Sequence, residues 1–173
     1  MLPVAMFLDA GAVLEESGWR GYGMPVALQR WGPVGASLVI GLAWASWHYP
    51  VKFNLFLDYG LIGASAVLGA FTVKLLALSV VMAFFWARSG QATIIAIAMH
   101  GLSNDVARVG GLTEPTTWQG EAISDVNLAI PFIVVAVIVV AIARRYGWGD
   151  LRTVQGRPKD SRTDGSQESL AAA

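Results

Sequence analysis

Long apolar runs, cut by short polar or glycine-containing stretches, dominate the order of residues. At about 20 residues per membrane crossing, they predict five spans, at 2–19, 32–49, 67–87, 91–107 and 125–143. The last is the clearest, since "PFIVVAVIVVAIA" runs without a charge to Arg144 and Arg145. Pro33 near the start of the second span suits a first helical turn, where its missing N–H has no intrahelical acceptor to lose. Ser89 and Gly90 separate the third span from the fourth. After the first span, Gly21, Gly23 and Pro25 are expected to break the helix, leaving "MPVALQRW" as a short interfacial helix. Residues 50–66 admit three readings: a loop, a re-entrant piece, or an early start to the 67–87 span. The stretch 147–173 is polar and rich in Gly, Ser, Arg and Asp, the composition of a disordered tail. The pattern therefore predicts an all-α fold, a polytopic transmembrane bundle of about five helices with one short interfacial helix. It divides into a membrane core at 1–146 and a tail at 147–173.

Composition agrees with that pattern. Of 173 residues, 55% are hydrophobic and 14% charged, and the mean hydropathy is +0.55. Soluble domains carry roughly 25% charged residues, so the balance points to a membrane. A net charge of zero and the lack of a basic run exclude nucleic acid as a partner. With no cysteine, disulfides, thiolate metal sites and cysteine nucleophiles are excluded together. No basic segment precedes the first apolar run and Asp9 interrupts it, so the first span is expected to stay in the mature protein. Placing Arg144 and Arg145 in the cytoplasm puts Arg20, Arg30 and Arg88 there too, with Lys52 and Arg108 dissenting. The tail is then expected to be cytoplasmic, with the protein integral to a membrane, expected to be a prokaryotic plasma membrane.

The polar residues left inside the spans form a short list. Glu15 and Glu16 are followed by Arg20, Trp44 precedes His48, and His100 precedes Asn104. Glu16–Arg20, Trp44–His48 and His100–Asn104 are each i,i+4, so each pair shares one helix face. Singly, these are ordinary features: an interfacial salt bridge, a headgroup contact, interhelical hydrogen-bond glue. Together they fall in one layer of the membrane, where isolated ionisable groups are costly, and so they are expected to face a shared interior cavity. Arg20 would hold Glu16. Glu15, about 100° further around the helix, would be free to take a proton from water, with His48 orienting that water or sharing the proton. His100 and Asn104 would donate hydrogen bonds to a carbonyl oxygen as it becomes an oxyanion. That is amide hydrolysis with no covalent intermediate and no cofactor. A zinc version uses Glu15, His48 and His100 as ligands with water in the fourth position, although the HExxH helix is absent. Asp9, seven residues before Glu16, falls near the same face. Lys74, alone within its span, is expected to snorkel or to pair with an acid.

These three motifs, "EESGWR", "WASWH" and "HGLSN", read as EExxxR, aromatic-xxx-His and HxxxN in order on successive membrane helices. They resemble the CPBP family, which comprises type II CAAX prenyl proteases and bacteriocin-processing or Abi-type intramembrane proteases. The resemblance covers about residues 14–107. It implies an intramembrane endopeptidase in which Glu15 activates water, His48 assists, His100 and Asn104 form the oxyanion site, and Glu16 and Arg20 support the architecture. Eukaryotic relatives trim the last three residues from prenylated CaaX proteins, and prokaryotic ones are linked to bacteriocin processing or self-immunity. The implied partners are membrane lipid and a peptide or protein substrate. A catalytically silent immunity or binding protein on the same scaffold is the alternative. Family members usually carry further helices before EExxxR, so helices supplied by a longer chain or a partner are also expected.

Overall fold

In the computed structural model, residues 9–109, 116–149 and 151 are described, the side chains of 106–109 excepted. Residues 2–8 of the first expected span, Arg108's side chain and residues 150 and 152–173 of the expected tail lie outside the described residues. The fold is all-α. Helix α1 spans Ala10–Gly18, α2 Met24–His48, α3 Asn54–Arg88, α4 Thr93–Val109 and α5 Trp118–Tyr146. Asp9 caps α1 by accepting from the Ala12 N–H at 3.1 Å, and Thr117 caps α5 in the same way through Gly120.

The expected break at Gly21, Gly23 and Pro25 does not occur. The chain stays helical through a π-turn, Trp19–Gly23, in which the Met24 N–H reaches back five residues to the Trp19 carbonyl. Pro25 is accommodated because it falls in the first turn of α2. Gly23 matters for space, since a Cβ there would stand 3.0 Å from Ile40 Cδ1. The break comes instead at Gly32, with φ +62° and ψ 179°. Pro33 disfavours the α conformation in the residue before it, and Gly32 takes a conformation essentially reserved for glycine. The segment Met24 to Trp31 is thereby set off as a short helix, as the pattern predicts. Gly60, φ +65°, makes a similar break in α3. Of the three readings of 50–66, the structure takes the third: a 3-10 turn at Pro50–Lys52, one short helical piece, then the beginning of the long span.

Among the described residues two helices, α3 and α5, are long and apolar enough to cross a membrane. They pack along one another, and α2 lies against α3 as well. Their surroundings differ sharply. In the most apolar stretch of α3, 61% of the residues are buried inside the protein, against 17% for α5. Helix α3 is thus the centre of the bundle, while α5 turns Ile130, Val134, Val137 and Ile138 outward. A continuous apolar face of that kind suits lipid rather than water. Where α2 crosses α3 the backbones nearly touch: a Cβ on Gly41 would stand 2.9 Å from Ser79 Cβ and 3.2 Å from Leu76 Cα. Small residues at such crossings let membrane helices approach closely. Beyond α5, Trp148 and Leu151 fold back against the cluster of Met24, Ile40 and Trp86.

Candidate active site

The close crossing at Gly41 fixes the polar interior. Glu16 and Arg20 are both fully buried, with Arg20 Nη1 3.1 Å from both carboxylate oxygens. Arg20 Nη2 donates to Ser79 Oγ at 3.0 Å, and Ser79 donates in turn to the Ser37 carbonyl at 2.8 Å. Two buried ions cost several kcal/mol each to desolvate, so the pair depends on these added bonds. The π-turn contributes here, because it carries Arg20 and joins the two helices that flank it. Glu16 has a further partner: its Oε1 lies 2.9 Å from His100 Nδ1. A carboxylate oxygen only accepts, so Nδ1 carries the hydrogen. His48 is set similarly, with Nδ1 2.9 Å from the Trp44 carbonyl. In its neutral form each imidazole therefore keeps a lone pair on Nε2.

His48, His100 and Asn104 line one cavity of about 410 Å³, whose other walls are mainly Phe71, Leu75, Met99 and Phe132. Its size falls within the usual range for ligand pockets, roughly 300–1,000 Å³. Asn104 donates from Nδ2 to Asp9 Oδ2 at 2.8 Å, which leaves its second amide hydrogen available. Glu15 is placed differently. It does not line this cavity; it borders a second hollow with Leu14, Trp19 and Trp47, and its Oε2 accepts from Trp44 Nε1 at 2.6 Å. Trp44 thus lies between Glu15 and the cavity. Its ring stands 4.8 Å from His100 and 6.4 Å from His48, with the Arg20 guanidinium 5.2 Å away.

Zinc requires at least three donors aimed at one point. Among the described residues no group of three or more His, Asp and Glu is close enough to hold a metal ion. With Glu15 held on the Trp44 indole and bordering a separate hollow, the donor set Glu15, His48 and His100 is not gathered at one point among the described residues. Several participants escaped the sequence reading. Ser79 looks like any small residue in an apolar span, and only the crossing at Gly41 brings it to Arg20. Trp44 is a motif residue, but its role as a donor to Glu15 depends on how α1 packs. Lys74 does pair with an acid, Asp125 of α5, across 51 residues.

The result is an all-helical bundle with a buried carboxylate–guanidinium pair beside a cavity bearing two imidazoles. A family model described as type II CAAX prenyl endopeptidase, Rce1-like, matches residues 1–106, a segment that contains all three motifs. The chain belongs to this family. CAAX prenyl protease 2 of Methanococcus maripaludis is 27% identical over 141 residues, covering 80% of this chain and 49% of that protein. The chain thus spans about half the length of the curated relative it matches. No solved structure matches it.

Proposed function

We propose that this chain is an intramembrane endopeptidase, hydrolysing a peptide bond with a water molecule activated in the cavity of His48, His100 and Asn104. The observation that carries the reading is that these three side chains, from α2 and α4, line one cavity, with Glu15 one indole away. His48 holds the water through Nε2. Glu15 is the carboxylate available to take the proton, because Glu16 is committed to Arg20 and His100. For Glu15 to do so, its bond to Trp44 Nε1 opens when substrate enters, as catalytic contacts commonly rearrange between the free enzyme and its complex. The second amide hydrogen of Asn104 donates to the carbonyl oxygen as it gains charge, joined by His100 when its ring carries two protons. Proton return to the leaving amine completes the cycle without a covalent intermediate or a metal. Substrates of CaaX type, or bacteriocin-type precursors, fit a mostly apolar cavity entered from the bilayer, and the tail would lie on the cytoplasmic side of a prokaryotic plasma membrane.

The test is hydrolysis of an S-farnesylated CaaX peptide by the protein in lipid nanodiscs. Glu15→Gln, nearly isosteric, should reduce kcat about 10²–10⁴-fold, the usual contribution of a general base, while leaving thermal stability near that of the wild type. Asn104→Ala should cost about 10²–10³-fold. If Glu15→Gln stays active and His48→Gln does not, His48 rather than Glu15 is the proton acceptor. If neither matters, hydrolysis does not occur at this site.

A further inference from the structure

Helix α4 brings three polar side chains to the cavity, His100, Ser103 and Asn104. Ser103 turns its hydroxyl onto the His100 carbonyl of its own helix. The other two are backed from α1 by carboxylates. Glu16 accepts from His100 Nδ1 at 2.9 Å, and Asp9 accepts from Asn104 Nδ2 at 2.8 Å. Asp9 belongs to none of the three motifs and does not line the cavity. It stands at the start of α1 with φ −70° and ψ 99°, the extended backbone of an N-cap. Its two oxygens serve different donors: Oδ1 accepts from the Ala12 N–H at 3.1 Å, and Oδ2 takes the Asn104 amide. Gly11 leaves room for this arrangement, since a Cβ there would stand 3.1 Å from Oδ1.

An asparagine amide carries opposite chemistry on two atoms of nearly equal size: the nitrogen donates and the oxygen accepts. Packing distinguishes them poorly, whereas an ionised carboxylate accepts only and so selects the nitrogen. We infer that Asp9 is a positioning residue for hydrolysis, locking the Asn104 amide so that its second N–H is held for the substrate's carbonyl oxygen. The role rests on the endopeptidase reading and identifies what fixes one of its donors. Turned by half a rotation, the same amide would set an oxygen where Nδ2 stands, and an oxygen there opposes a developing oxyanion instead of stabilising it. Asp9 forbids that turn, because two acceptors would then face each other. Its own charge is offset where it sits, at a helix N-terminus that carries about half a positive charge. The role also requires a carboxylate. Asparagine at this position has one acceptor for two donors, so it can cap α1 or hold the Asn104 nitrogen, but not both. Serine caps α1 with its hydroxyl and leaves the amide free to rotate.

The experiment measures kcat and KM for the S-farnesyl CaaX peptide in nanodiscs, beside the side-chain amide NMR signals of Asn104. The chain has three asparagines, Asn54, Asn104 and Asn127, so isotope-labelled asparagine gives few signals and Asn104→Ala identifies the pair. In the wild type the amide proton on Asp9 should resonate downfield of its partner, and in Asp9→Ser that shift should be lost. Serine and asparagine cap helices about as well as aspartate, so both variants keep α1. In each, kcat should fall about tenfold, a share of the roughly 10²–10³-fold cost of a lost oxyanion donor, with KM within about twofold. Were Asp9 only a cap, Asp9→Ala would lower thermal stability and Asp9→Ser would restore both stability and wild-type kcat. That result, or Asn104 signals unchanged by Asp9→Ser, overturns the positioning role while an active wild type keeps the endopeptidase reading. A wild type that cleaves nothing, with Asn104 signals that still shift in Asp9→Ser, overturns the endopeptidase reading and leaves the lock as a structural contact.

Discussion

Arg20 shows how one side chain can hold three helices to one polar centre. It neutralises Glu16 on its own helix and donates to Ser79 on α3, and Glu16 in turn orients His100 on α4. Arg20→Ala would leave a carboxylate buried without a cation, which costs about 3–5 kcal/mol when a buried pair is broken. Ser79→Ala removes one acceptor and should cost less, about 1–3 kcal/mol for a buried donor left unmatched. Reversible unfolding in mixed detergent micelles measures both, and a wild-type midpoint for Arg20→Ala would show that the pair does not support the fold. The Glu16–Arg20 contact was legible because i,i+4 spacing places two side chains on one face whatever the tertiary fold. Ser79 was not, because nothing local links it to a residue 59 positions away.

At the scale of the element, the chain is punctuated by backbone conformation more than by hydropathy. Gly21, Gly23 and Pro25 look like helix breakers, and in water they would be strong ones. Here the π-turn absorbs the two glycines, and Pro25 falls in the first turn of α2, where its missing N–H costs nothing. The actual breaks, at Gly32 and Gly60, are positive-φ glycines, and only the first carries a sequence signal, the proline after it. The crossing of α2 and α3 yields the element-scale prediction. Gly41→Ala places a methyl group 2.9 Å from Ser79 Cβ and 3.2 Å from the backbone of Leu76, so the helices must separate. Overpacking of this kind costs about 1–3 kcal/mol. It should also pull Ser79 away from Arg20 and reduce hydrolysis, read as a lower kcat in the peptide assay. Gly69→Ala, where a methyl group would meet nothing within 4 Å, is the control expected to be neutral.

For the whole molecule, the division between α3 and α5 decides where lipid lies. Both helices pass as membrane spans by composition, and hydropathy alone ranks α5 higher because its run is the more apolar. The structure assigns them different surroundings, with α3 inside and α5 outside. A charge on the outer face of α5 therefore meets hydrocarbon. Val134→Arg, at a position 53% exposed in the protein, should disfavour insertion of α5 by about 2.5–3.5 kcal/mol near the bilayer centre. A glycosylation-mapping insertion assay reads this directly, and unchanged insertion would mean that the face is not against lipid.

The sequence by itself determined the class of fold, the family and the identities of the motif residues. Apolar run length is a local quantity set by bilayer thickness, and i,i+4 spacing is a property of every α-helix. What only the tertiary structure decided is which residues meet. Ser79 beneath Arg20, Asp9 on Asn104, Lys74 against Asp125, and Trp44 set between Glu15 and the cavity all join segments far apart in the chain. Such contacts depend on crossing points where glycines allow backbones to approach, and on the direction each helix face takes once its neighbours are packed. No periodicity along one helix encodes that direction, because it is set by the partner.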